Sequence, residues 1–143
     1  MAIYNLKQLL DQYGNDYLVL EFNHLFVSDT IREEVWLLRG RDDAKLIGEI
    51  IQAARGFNIH DATGDRAFFT YSGGQQAILG CLLVLTAIRA GKIQERKLLL
   101  NNILNSISDE NQLKLYRWFG RVRDTHAVRF FMTDNGHIEE IYS

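Results

Sequence analysis

The chain has 143 residues, of which 47% are hydrophobic and 24% are charged, and it carries a formal net charge of −2. This composition excludes collagen-like, low-complexity and disordered classes, and it predicts a single folded domain over residues 1–143. The single cysteine excludes an internal disulfide. The longest mostly apolar run, residues 77–88, is too short to span a membrane, so we expect a cytoplasmic protein that does not contact one.

The N-terminal part of the chain predicts a helix followed by a strand. Asn5 and Gly14 bracket the predicted helix, which covers residues 6–13. The run DYLVLEFNHLFV, residues 16–27, has no decisive period, and the β-prone residues of its first half favour a strand there.

A helical hairpin is predicted next. The segment TIREEVWLLRG follows Ser28 and Asp29, either of which is a good N-cap, and helical spacing places Trp36 on its apolar side. Asp42 is predicted to cap a second helix, DAKLIGEIIQAARG, which ends at Gly56.

Residues 57–71 contain two β-prone runs, FNIH and RAFFTY, around the turn-rich segment DATGD. They predict a second hairpin or a strand pair. Ser72 is then predicted to cap a helix that runs to Ala90 and is apolar on nearly every side. A helix of this kind belongs in the middle of a fold, where Cys81 would be a buried and unreactive thiol.

The last third of the chain predicts two more helices and a β-hairpin. Apolar residues repeat at helical spacing through residues 93–107, and Ser108 is predicted to cap a helix extending to about Val122. Asn135-Gly136 is a strong signal for a two-residue hairpin turn.

In the expected hairpin, Met132 faces Ile138 and Phe130 faces Glu140, with Arg129 diagonal to Glu139 on the other face. Its predicted apolar face contains Val128, Phe130, Met132, Ile138 and Tyr142. The predicted fold class is therefore α+β and mostly helical, with about five to six helices, the C-terminal hairpin and the pair at residues 57–71. The strand order stays open.

Residues 72–76, SGGQQ, resemble the LSGGQ signature of the ABC nucleotide-binding domains. The resemblance implies a loop at a helix N-terminus that contacts the γ-phosphate of a nucleotide held by a partner's Walker A loop. The chain contains no G-x-x-x-x-G-K-[ST] motif, so we interpret the stretch as the start of a buried helix. A small-anion site at the helix start is the alternative, and its residues are Ser72, Gly73, Gly74 and Gln75.

His60, Asp61 and Asp65 form a polar cluster in one predicted loop. A histidine with two carboxylates is a combination that a hydrolase or nuclease uses for general acid–base chemistry. Turn formation explains the same residues without catalysis. No two histidines have the short spacing of a metal-binding pair, so the sequence predicts no metal and no cofactor.

Charge is unevenly distributed along the chain. Residues 114–129 hold five basic residues and one acidic residue, and such a segment is a candidate for contacts to nucleic acid. The candidate contacts are Lys114, Arg117, Arg121 and Arg123. The alternative interpretation is a solvated helix face.

The rest of the chain is acidic, which favours a basic protein partner, because complementary charge speeds association and specifies partners. The expected partner-binding residues are Asp29, Glu33, Glu34, Asp42 and Asp43. Our leading hypothesis is therefore a protein-binding module, for example a bacterial immunity protein, toxin inhibitor or adaptor, rather than an enzyme.

Overall fold

The computed structural model describes residues 18–21, 25–92, 97–134 and 137–141. Its α-helices in these residues are α1 Ile31–Arg39, α2 Ala44–Arg55, α3 Gly73–Arg89 and α4 Asp109–His126. Its strands are β1 Leu18–Glu21, β2 Lys97–Asn101, β3 Arg129–Asp134 and β4 His137–Glu140. Two short 3-10 helices span Phe68–Thr70 and Leu104–Ser106.

The strands form one sheet in the order β1-β2-β3-β4. The β1–β2 and β2–β3 pairs are parallel, whereas β3 and β4 are antiparallel. Parallel neighbours need long crossover connections, and the helices supply them: α1, α2 and α3 join β1 to β2, and α4 joins β2 to β3. The predicted α+β class is confirmed, with a mixed sheet that the sequence did not indicate.

The helix α3 lies at the centre of the core, as its apolar sequence predicts. It packs against both α2 and α4. On the core face of the sheet, Leu98, Leu100 and Phe130 are at most 1% exposed. On the opposite face, Leu99 and Phe131 are also buried. The two central strands are therefore buried on both faces, as is usual for parallel strands.

Side-chain caps define where each helix begins. The predicted caps Ser72 and Ser108 are confirmed, each accepting a hydrogen bond from the amide three residues on. The other two caps lie one residue or more beyond the predicted positions, at Thr30 and Asp43. Gly40 ends α1 in the left-handed region, with φ of 69°, which glycine adopts without steric cost.

The prediction of about five to six helices is wrong for the described residues, which contain four α-helices. The predicted helix at residues 6–13 lies outside them. The predicted helix at residues 93–107 is wrong: Lys97–Asn101 is the strand β2, and a 3-10 turn follows it. A continuous apolar run has no helical period of its own, and parallel pairing with two neighbours decides its conformation.

The predicted hairpin at residues 57–71 is also wrong. Its only β-type pairing among the described residues is an isolated bridge between Thr30 and Ala67. Phe57 and Ile59 turn into the core instead, and Phe68 begins a 3-10 turn. Most apolar side chains of this segment are buried in the core without strand pairing, whereas Phe69 stays exposed.

The C-terminal hairpin is present, but its register differs from the prediction by one residue. Asp134 pairs with His137, and Thr133 rather than Met132 lies opposite Ile138. A two-residue loop places the residues just before and after it opposite each other. The predicted register centred the pairs on a single residue, which corresponds to a loop of odd length.

The corrected register changes which side chains share a face. Phe131, not Phe130, lies opposite Glu140. Arg129 accordingly forms a two-pronged ion pair with Glu140, at 2.7 and 2.9 Å, instead of lying diagonal to Glu139. The buried residues on the core side at this end are Val128, Phe130 and Ile141, while Tyr142 lies outside the described residues.

Cys81 is expected to be unreactive toward thiol reagents in the folded protein. Burial raises the pKa of its thiol to about 12, and a thiolate is the species that reacts. We expect an aromatic disulfide reagent at pH 8 to modify no thiol until denaturant unfolds the chain, and one thiol per chain afterwards. Fast modification of the native protein would contradict the buried position.

The same burial makes stability depend on pH. The unfolded thiol ionises near its ordinary value of 9.0, while the folded one keeps its proton. The unfolded state then binds fewer protons, so stability falls above about pH 9, by at most about 1.4 kcal/mol per pH unit. Cys81→Ala should lack this component in denaturation curves.

No helix in the described residues is both long enough and apolar enough to cross a membrane.

Candidate functional site

The SGGQQ stretch forms a closed helix start. Ser72 accepts a hydrogen bond from the Gln75 amide at 3.2 Å, and the Gln75 side chain accepts one from the Ser72 amide at 3.1 Å. This reciprocal capping box satisfies backbone donors that an anion would otherwise use. A Cβ atom on Gly74 would lie 2.7 Å from the carbonyl oxygen of Ser106. The glycine therefore serves close packing against another segment, and an electronegative oxygen lies beside the predicted anion site.

The carboxylates of the predicted catalytic loop are both paired with arginines. Asp61 lies 2.7 Å from Arg66, and Asp65 lies 2.7 Å from Arg32. These ion pairs join the loop to itself and to α1. His60 is exposed. The ion pairs give both acids a role in holding the loop in place. No group of three metal-binding side chains occurs in the described residues.

Three of the predicted acidic partner-binding residues surround the first turn of α1. The Glu34 carboxylate accepts hydrogen bonds from the backbone amides of Val27 and Ser28, and Glu33 accepts one from the Asp29 amide. These contacts hold the preceding loop against the helix. They also place three negative charges together at this end of α1.

The other two predicted acids lie in the connection between α1 and α2, and both have cationic neighbours. Asp42 is 3.8 Å from Arg32, and Asp43 is 3.1 Å from Arg39. The hydrogen bond from the Leu46 amide, followed by Arg39, lowers the pKa of Asp43 below its ordinary value. These two residues therefore stabilise the connection between the helices through local ion pairs.

Four highly exposed apolar side chains lie on α1 and on the two loops beside it, and we treat them as one surface. We name it the apolar surface and define it by Val27, Trp36, Leu37 and Phe69, which are 88%, 50%, 60% and 82% exposed. Sequence reasoning missed it, and it placed Trp36 on the buried side of the helix. Helical spacing shows which residues share a side of a short helix, but it does not show how far the rest of the chain covers that side.

A small groove lies beside Phe69, with a volume of about 310 Å³. Asp29 and Ser28 line it, together with aromatic side chains of the same two loops. The Ser28 hydroxyl is buried and has no hydrogen-bond partner among the described residues.

A larger basic groove, of about 730 Å³, lies between the end of α2 and the outer side of α4. Lys114 bridges the two helices by donating to the Gly56 carbonyl oxygen at 3.0 Å. The structure brings all four candidate nucleic-acid contacts into this groove, where Asp124 is its single acidic lining residue. The four are Lys114, Arg117, Arg121 and Arg123.

Trp118 lines the basic groove, and two arginines lie over its ring. The guanidinium carbons of Arg89 and Arg121 lie 4.8 and 5.0 Å from the centre of its ring. Arg89 comes from the last turn of α3, far away in the sequence. Two further depressions continue from this point, and the cations that line them are Arg39, Arg41, Lys45, Arg89 and Lys92. The acidic residues Asp43 and Glu49 line them as well.

No model of a known protein family matches the chain, and a search of curated proteins finds no significant match.

Proposed function

We propose that this protein is a protein-binding module whose partner docks on the apolar surface. One observation carries the proposal: the described residues contain five large hydrophobic side chains that are highly exposed, and four of them belong to α1 and the two loops beside it. Exposed apolar groups of this size are unfavourable in water, and aromatic residues among them are enriched at interface centres. Burying each one against a partner contributes roughly 1.5–3 kcal/mol before the costs of association.

The loops that carry the surface are held in place before any partner binds. Phe68 stacks on Phe26 with 3.5 Å between ring centres, and its amide donates to the Asp29 carbonyl oxygen at 2.8 Å. The Glu34 carboxylate holds the Val27 amide from the other side. Preordered contact residues reduce the entropy that binding must overcome.

The charges around the apolar surface favour a basic partner. Asp29, Glu33 and Glu34 lie at its edge, so a contact segment with an apolar side chain flanked by lysine or arginine complements it. The groove beside Phe69 is large enough to take one such apolar side chain. A bacterial immunity protein, toxin inhibitor or adaptor would act in this way.

A photoreactive phenylalanine analogue at position 69 tests the proposal in cells that contain the protein. We expect it to cross-link to one partner protein, and the same analogue at Leu113, which is 60% exposed on α4, to give no such product. With the purified partner, Phe69→Ala should weaken binding at least about 30-fold, which is the effect of a hot-spot residue. Leu113→Ala should change it less than about threefold.

Two results would contradict this function. One is the same cross-linked products from both positions, and the other is an unchanged affinity for the Phe69→Ala variant. As a check on partner charge, the Asp29→Asn/Glu33→Gln variant should associate more slowly at low salt, with little change in dissociation rate.

A further inference from the structure

We propose that the basic groove is a second binding site, which takes the phosphate backbone of a single-stranded nucleic acid. It shares no lining residue with the apolar surface, so it is independent of the protein-docking function. Four basic side chains and one acidic side chain, that of Asp124, line the groove, on a protein whose net charge is negative.

Two of these cations keep their charge available for a ligand. Arg117 and Arg121 are exposed and form no ion pair with any described residue. Lys114, in contrast, is occupied by the Gly56 carbonyl oxygen and lies 3.7 Å from Glu110. The arginines have the planar fork geometry that binds two phosphate oxygens at once.

Trp118 positions the arginines for such a ligand. A guanidinium over an indole ring is held by the ring's quadrupole, and its other face is free to stack on a base. Arg89 and Arg121 lie within about 10 Å of each other, roughly one Debye length at 0.1 M salt, so their potentials add across the groove. The two positive charges also repel each other, and a flexible phosphate chain that passes both arginines lowers this repulsion.

The shape of the groove favours a single strand over a duplex. Its volume of about 730 Å³ lies in the range of small-molecule sites, which is enough for a nucleotide of a flexible strand. The two adjoining depressions continue the same surface past Trp118 and Arg89. Cations outnumber the acids Asp43, Glu49 and Asp124 along this path, and a groove rich in cations that follows the backbone is typical of sequence-independent binding to single strands.

Fluorescence anisotropy with a short labelled DNA strand of mixed sequence tests the proposal on the full-length protein. We expect binding at low salt, with log K falling linearly with log salt by about 0.7 for each phosphate contact. In Arg117→Ala/Arg121→Ala, the salt slope should decrease by about 1.4, and affinity at 0.1 M salt should fall roughly 10- to 100-fold. Both residues are exposed, so this variant should keep the circular dichroism spectrum of the wild type.

A matched control separates the groove from overall charge. Arg55 is exposed at the end of α2 but does not line the groove, so Arg55→Ala removes the same charge from outside it. We expect Arg121→Ala to weaken binding at least fivefold more than Arg55→Ala. Equal losses, tighter binding to the duplex form of the probe, equal competition by polyglutamate, or no binding at low salt would each overturn the proposal.

Discussion

Phe119→Ala is expected to lower the free energy of unfolding by about 3–5 kcal/mol, the usual cost of truncating a fully buried phenylalanine. The Phe119 side chain is 1% exposed. It stacks on Phe130 with 4.7 Å between ring centres, which joins α4 to the central part of the sheet. The truncation removes this contact and leaves a cavity where the helix meets β3. Urea denaturation followed by circular dichroism measures the loss.

Leu113→Ala is the matched control for Phe119→Ala, because both residues lie on α4. Leu113 is 60% exposed, so its truncation should change stability by no more than about 0.5 kcal/mol. A midpoint for Phe119→Ala close to that of Leu113→Ala would contradict the packing of α4 on the sheet.

Gly74→Ala and Gly48→Ala are expected to change stability in opposite directions. A Cβ on Gly74 would lie 2.7 Å from the Ser106 carbonyl oxygen, so the helix start or the 3-10 turn must shift, at a cost of about 1–3 kcal/mol. A Cβ on Gly48, in the middle of α2, meets nothing within 4 Å. Alanine there restricts the unfolded chain and should stabilise the protein by about 0.5–1 kcal/mol.

Thermal or urea denaturation of the two glycine variants distinguishes close packing at Gly74 from the higher helix propensity of alanine at Gly48. If both variants are more stable than the wild type, the close approach of α3 to residues 104–106 is wrong. In that case the start of α3 would also be more open than described, and the result would support the small-anion site at Ser72.

Local signals predicted all four observed helices, but they also predicted a helix over β2 and did not indicate the parallel sheet. The caps Ser72 and Ser108 and the terminator Gly40 act within one turn of the chain, so their sequence pattern is sufficient. The run KLLLN of β2 has no period that separates strand from helix. Its conformation depends on β1 and β3, which come from distant parts of the chain.

The candidate sites divide in the same way. The basic residues of α4 could be found in the sequence because they are close together along one helix. Arg89 could not, because it reaches Trp118 only after α3 packs beside α4. Likewise, the exposure of Phe69 and Trp36 could not be read from their apolar character. The sequence predicted the acids of residues 61 and 65 as catalytic candidates, whereas their arginine partners are visible only in the fold.

The sequence by itself determined the α+β class, the start of the central helix at Ser72 and the presence of a C-terminal hairpin, since each depends on neighbours a few residues away. Tertiary structure alone decided the parallel sheet and the two surfaces proposed as binding sites. Burial and charge proximity are properties of side chains that meet across the fold, so the pattern of one segment cannot specify them. SGGQQ shows both cases: its serine caps a helix by local rules, and its second glycine is needed only because Ser106 lies against it.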